Sequence, residues 1–127
     1  VSKGLEGDKP IFLQIRDRIE DQIVNNQLQE GDQIPSTNQL VHFYKINHLT
    51  ASKGINLLVD DGIIYKKRGV GMFVAEGAKT KVTEKRKTAF FDNYVLPMVE
   101  ESHKLQLSEE EVTTLIQQAK GRNSNDI

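Results

Sequence analysis

From Pro10 onward the apolar residues Phe12, Ile15, Ile19 and Ile23 recur at helical spacing with charged residues between them, which predicts an amphipathic first helix. Asp8 stands where it can cap that helix, and Pro10 fits its first turn, where a missing N–H does no harm. The pattern fades at Asn25-Asn26. The following "LQEGDQIPS", with Gly31 and Pro35, reads as a turn.

Ser36-Thr37-Asn38-Gln39 has the form of a capping box, in which a hydroxyl and a side-chain amide satisfy each other's backbone N–H groups. It predicts a short second helix with Leu40, Phe43 and Tyr44 as its apolar positions, ending near Lys45. Asn47 offers a second cap, and a third helix follows through Ala51, Ile55 and Leu58 to about Asp60, with Gly62 terminating it. Asp60-Asp61 fits the end of that helix. Two helices either side of a tight "KIN" break form a helix-turn-helix pattern. Thr50, Ser52, Lys53 and Asn56 take outer or flanking positions on the third helix, a set suited to a major groove. The same residues equally suit an ordinary solvated helix face.

After Gly62, "IIYKK" and "MFVA" are β-prone runs separated by Arg68-Gly69-Val70-Gly71. Glycines that accept positive φ angles make this a hairpin signal. The Gly-x-Gly beside Lys66, Lys67 and Arg68 could in principle cradle a nucleotide. A phosphate loop, however, leads into a helix N-terminus, and Gly71 leads into the strand-like Met72-Phe73-Val74. Helix, helix-turn-helix and hairpin in this order make a winged helix.

Further on, "EGAKTKVTEKRK" reads as a linker or the start of a helix. Phe90, Tyr94 and Met98 then recur at i, i+4, i+8, with Phe91, Val95 and Val99 alongside. Pro97 inside this run predicts a kink or a split. Ser108-Glu109-Glu110-Glu111 is a second capping box, opening a last helix with Val112, Leu115 and Ile116 apolar. The tail 121–127 is expected to be disordered. A terminal helical pair this short cannot bury both apolar rows alone, so Phe90, Phe91, Tyr94, Val95 and Met98 are expected to pack against a second subunit rather than within one.

The 127 residues contain no cysteine, which removes disulfides, thiol catalysis and cysteine-ligated metals. His42, His48 and His103 share no metal-site spacing, and no nucleophile–base pair is suggested, so neither enzyme activity nor a cofactor is expected. No apolar run approaches a membrane span and no signal-peptide pattern opens the chain, which points to a soluble cytoplasmic protein without a membrane partner. The net charge of −1 hides a strong partition. Residues 1–44 carry 4 Lys and Arg against 7 Asp and Glu, residues 45–87 carry 10 against 4, and residues 88–127 carry 3 against 7. A basic middle between acidic ends fits either a polyanion partner or a solvated lysine-rich surface.

The stretch from Lys9 to Val74 resembles the DNA-binding domain of the GntR family of bacterial transcription regulators. The resemblance lies in "PIFLQI", "GDQIPSTNQL", "NHLTASKG", "LVDDGII" and "RGVGMFV", in this order over about half the chain. The run "FFDNYVLPMVEESHKLQLSEEEV" is similar to the small helical dimerisation appendage of the YtrA-like subfamily.

The resemblance implies an α+β, mostly helical fold. A winged helix-turn-helix of three helices and a β-hairpin wing spans 8–76, a linker or helix start 77–88 and a dimerisation appendage 89–120. It further implies a homodimer that binds double-stranded DNA at a palindromic operator and acts as a repressor, with an unidentified small-molecule effector as a further partner. The positions implied to contact DNA are Ser36, Thr37 and Asn38, then Lys45, Asn47, His48, Thr50, Ser52 and Lys53, and in the wing Lys66, Lys67, Arg68, Gly69 and Gly71. Two positions depart from the family pattern. Asn38 stands where many members have Arg, which removes a bidentate guanine contact. Gly54 replaces the usual alanine, at a helix-propensity cost of about 1 kcal/mol. The alternative function is a winged-helix protein-interaction module that has lost specific DNA binding.

Overall fold

Pro10 itself occupies the cap position of the first helix, α1 (Ile11–Val24), and its carbonyl accepts from the amides of Leu13 and Gln14. No side chain caps this helix, so the expected role of Asp8 is not realised. The computed structural model describes residues 7–125, with side chains described through residue 122. Along α1, Ile15, Ile19 and Ile23 are buried, as their spacing requires. Half-buried Asp17 is pushed up by burial. Its ion pairs with Lys9 (2.7 Å) and Arg16 (2.8 Å) outweigh that push and hold its carboxyl below the ordinary value of 3.8.

Helix α2 (Thr37–Tyr44) opens with the predicted capping box: the Gln39 amide donates to the Ser36 hydroxyl at 3.1 Å and the Ser36 amide to Gln39 Oε1 at 2.8 Å. It buries Leu40, but Phe43 is 52% exposed. Phe43 lies three positions beyond Leu40 and instead sets its ring edge-on to Tyr44. Lys45 then adopts a left-handed backbone (φ +55°) and ends the helix. Helix α3 (His48–Asp60) starts on Asn47, whose Oδ1 accepts from the Thr50 amide at 2.7 Å. Its buried row is Ala51, Gly54, Ile55 and Leu58. Gly54, a propensity cost when read locally, lies at the crossing with α1.

Strands β1 (Ile64–Lys67) and β2 (Gly71–Val74) form an antiparallel hairpin pairing Ile64 with Val74 and Lys67 with Gly71. The turn closes with the Val70 amide donating to the Lys67 carbonyl at 2.9 Å, and Gly69 takes φ +76°. Residues 31–34, read as a plain turn, also lie along the outer edge of β2. Gly31 and Ile34 donate to the Val74 and Met72 carbonyls, and Val74 donates to Asp32, each at 2.9 Å. This pairing joins segments about forty residues apart and leaves no local signature. Ile34, Ile63, Ile64, Met72 and Val74 complete the core with the α1 and α3 rows.

Helix α4 (Ala78–Phe90) contains most of the basic stretch 77–88. Ala78 and Val82 are buried in the core, and Lys85 forms an ion pair with the buried carboxylate of Glu20 and another, at 3.3 Å, with Asp61. The chain divides into two compact units after Lys85.

In the second unit, residues Phe91–Val95 form a π-helical turn in which the Leu96 amide reaches back to the Phe91 carbonyl, and α5 (Leu96–Lys104) follows directly. Pro97 has no N–H for the Asn93 carbonyl, and one extra residue in the turn accommodates the proline ring without breaking the helix. Gln106 takes a positive φ, Ser108 and Glu111 make the second capping box, and α6 spans Glu109–Asn125. Helix thus replaces the expected disorder over 121–125, continuing from Lys120 and Arg122, which favour it, through Gly121 and the weaker helix formers Asn123, Ser124 and Asn125. Residues 126 and 127 of the expected disordered tail lie outside the described residues.

Candidate nucleic-acid interface

The sequence-predicted DNA contacts lie in four places: the start of α2, the turn between α2 and α3 with Lys45, the first two turns of α3, and the wing. Neither helix has an acidic residue in its first turn. Their amide dipoles therefore present positive potential undiminished by a carboxylate. Ser36 and Asn47 are both exposed, but each commits an oxygen to its own helix cap. Asn38 is exposed, while Thr37 and Thr50 are half-buried.

On α3, His48 and Ser52 stand one turn apart with Nδ1 and Oγ separated by 3.4 Å. The Lys53 ammonium lies 4.1 Å from the centre of the Phe12 ring, a cation–π contact that ties α3 to α1. In the wing, alternation along the hairpin puts Lys66 on the inner face with Met72, and its ammonium approaches Asn56 Oδ1 at 3.3 Å. Wing and α3 are thereby joined side to side. Tyr65 and Phe73 stack on the other face, rings 5.8 Å apart.

Lys45, Lys67 and Arg68 are exposed, and their side chains make no hydrogen bond or ion pair among the described residues. The left-handed backbone at Lys45 is unfavourable for a side chain by about 1 kcal/mol, yet a cation occupies it. Gly69 and Gly71 shape the wing tip for different reasons. At Gly69 (φ +76°) the constraint is backbone conformation alone, since a Cβ would meet open space. At Gly71 (φ +145°) a Cβ would also collide with the Gln33 side chain, whose Nε2 donates to the Val70 carbonyl at 3.2 Å and braces the tip.

Sequence reasoning missed three participants. Gln33 acts across 37 residues, beyond any local motif. Asn56 was placed on the outer face of α3 but not joined to the wing. Leu49, which falls outside the apolar row Ala51, Ile55 and Leu58, is 78% exposed.

The second unit presents an apolar surface. Phe90, Phe91, Tyr94 and Met98 are exposed and Val95 is half-buried, with the Phe90 and Tyr94 rings 5.7 Å apart. Among the described residues no group of His, Asp or Glu is arranged to hold a metal, and no helix is long and apolar enough to cross a membrane.

The family model for bacterial regulatory proteins of the gntR family matches residues 12–74. The HTH-type transcriptional regulator YhcF of Bacillus subtilis is 30% identical over 107 residues, which are 84% of this chain and 87% of that protein. The chain belongs to the GntR family of bacterial regulatory proteins.

A GntR-family transcriptional regulator from Bacteroides thetaiotaomicron has the same winged-helix fold, with a TM-score of 0.75 and 34% identity over 89% of this chain and 98% of its own. The AraR DNA-binding domain in complex with operator ORX1 matches with a TM-score of 0.52 and 29% identity, over 54% of this chain and 82% of that one. The repressor YtrA of Bacillus subtilis is 33% identical over 62% of this chain and 61% of its own length. Other related repressors are far longer proteins, and this chain spans only 26–29% of them. As a GntR-family member the chain is a DNA-binding transcription regulator and not an enzyme.

Proposed function

We propose that this GntR-family chain is a homodimeric, sequence-specific repressor of transcription in the bacterial cytoplasm. It binds a palindromic operator with α3 in the major groove and the wing on the adjacent backbone or minor groove. His48, Ser52 and Asn38 reach base edges or phosphates in this reading, Ser36, Thr37, Asn47 and Thr50 present the helix starts, and Lys45, Lys67 and Arg68 neutralise phosphates. The observation that carries the reading is the Lys66–Asn56 contact, which sets the recognition helix and a wing of unpaired cations next to each other. YtrA and NagR, both relatives, are named repressors, which supports that sense of regulation.

The second unit supplies the dimer contact. Its exposed Phe90, Phe91, Tyr94 and Met98 need a partner surface, and a two-fold pairing of these faces gives the symmetry a palindrome mirrors. In vitro selection from randomised duplexes tests the proposal. The expected product is an inverted repeat with half-sites about one helical turn, roughly 10 bp, apart. Enrichment of a single unrepeated site, or of nothing, would overturn it.

A further inference from the structure

We propose that Leu49 reads the C5-methyl group of a thymine in each operator half-site. The inference rests on α3 being the recognition helix and deepens that reading to a base preference.

A single exposed leucine is ordinary on a protein surface. Leu49 differs in where it stands. It is the second residue of α3, in a first turn pinned by the Asn47 cap, and it is more exposed than any other large apolar residue described. At 100° per residue it points directly away from buried Leu58 and nearly opposite buried Ala51. The side chain one turn on, Lys53, could have covered it with its aliphatic stem, but that ammonium is drawn over the Phe12 ring. His48 and Ser52 associate with each other alongside. An apolar group is thus held at the outermost point of a polar helix face.

In the major groove only thymine offers an apolar group; the other exposed features are hydrogen-bond donors and acceptors. Leucine cannot satisfy a cytosine amino group or a purine acceptor, and pressing against one would strip its water without replacement. Against a thymine methyl it buries apolar surface on both sides. Leu49 therefore favours thymine over cytosine at one position, which also supplies selectivity that Asn38, lacking a guanidinium, does not.

The test takes the duplex enriched by selection and replaces each thymine in turn with deoxyuridine, which deletes the methyl and leaves the hydrogen-bonding edge intact. The native protein is expected to lose about 3- to 5-fold in affinity, the effect of one buried methyl-sized group, at one position in each half-site. Leu49→Ala should bind the thymine and deoxyuridine forms equally there, and its thermal unfolding should match that of the native chain because the side chain is exposed. Indifference of the native protein to every replacement would overturn the inference while leaving DNA recognition standing. So would a deoxyuridine loss that persists in Leu49→Ala, since another side chain would then hold the methyl. Failure to enrich any sequence would overturn both.

Discussion

Gly54 of α3 faces Phe12 of α1 so closely that a Cβ there would lie 2.7 Å from the Phe12 carbonyl oxygen and 3.3 Å from two side-chain carbons of Ile15. The obstacle is backbone and cannot rotate away. Alanine would gain about 1 kcal/mol of helix propensity, but overpacking of this kind costs about 1–3 kcal/mol. Gly54→Ala is therefore expected to lower the stability of the first unit by roughly 1 kcal/mol, measured by chemical denaturation. A more stable variant would show that the helices separate without cost.

Lys85 pairs with Glu20, whose side chain is only 2% accessible, and with the more exposed Asp61. Removing Lys85 takes one partner from the buried Glu20 carboxylate, and a buried charge that loses a partner is destabilising. Because Lys85 is itself 38% accessible, the expected loss for Lys85→Met is nearer 1–2 kcal/mol than the larger values for fully buried pairs. Lys79→Met, which removes only a surface hydrogen bond to Asn26, should change stability by less than about 0.5 kcal/mol. Equal effects of the two variants in urea unfolding would contradict this ranking.

Asp17 gives the pH dependence a sign. Its carboxyl titrates below the ordinary value of 3.8 in the folded chain because the Lys9 and Arg16 pairs outweigh burial. The unfolded chain therefore takes up the proton first as pH falls. The stabilisation is complete above about pH 4–5 and is lost as pH drops through the lowered folded value. Asp17→Asn should lack this component, so the stability gap between native and variant should narrow from pH 6 to pH 3. A gap that stays constant would locate the acid sensitivity elsewhere.

Features encoded within a few residues were legible in the sequence. Both capping boxes, at Ser36 and Ser108, and the wing turn at Gly69 and Gly71 depend on neighbours three or four positions away. Features that depend on distant partners were not. Gln33 braces a tip 37 residues on, and Lys85 reaches Glu20 across 65. Periodicity marks Leu40, Phe43 and Tyr44 as the apolar positions of α2 but cannot measure how far a neighbouring helix extends to cover them, and Phe43 is left exposed. The cations of the site were found by type, but type does not reveal direction. Lys53 and Lys66 turn toward Phe12 and Asn56, whereas Lys45, Lys67 and Arg68 stay unpaired among the described residues.

The exposed aromatic stripe carries the expectation of a dimer. Phe90→Glu combined with Tyr94→Glu places two charges where apolar contact is proposed, at 58% and 66% exposure in the single chain. Sedimentation should show the native protein as a dimer and the double variant as a monomer, with circular dichroism of both alike. A variant that remains dimeric would place the interface on another surface.

The central claim, that the wing cations beside α3 rest on DNA phosphates, is tested most directly by the salt dependence of affinity for the selected duplex. The native chain should show log affinity falling linearly with log salt. Lys67→Glu with Arg68→Glu alters two residues whose side chains make no hydrogen bond or ion pair among the described residues, so folding and dimer mass should be unchanged. Its slope should flatten by about 0.9 for each phosphate contact removed, with affinity at least tenfold weaker near 0.1 M salt. An unchanged slope and affinity would contradict the account and return the winged helix to the role of a protein-interaction module.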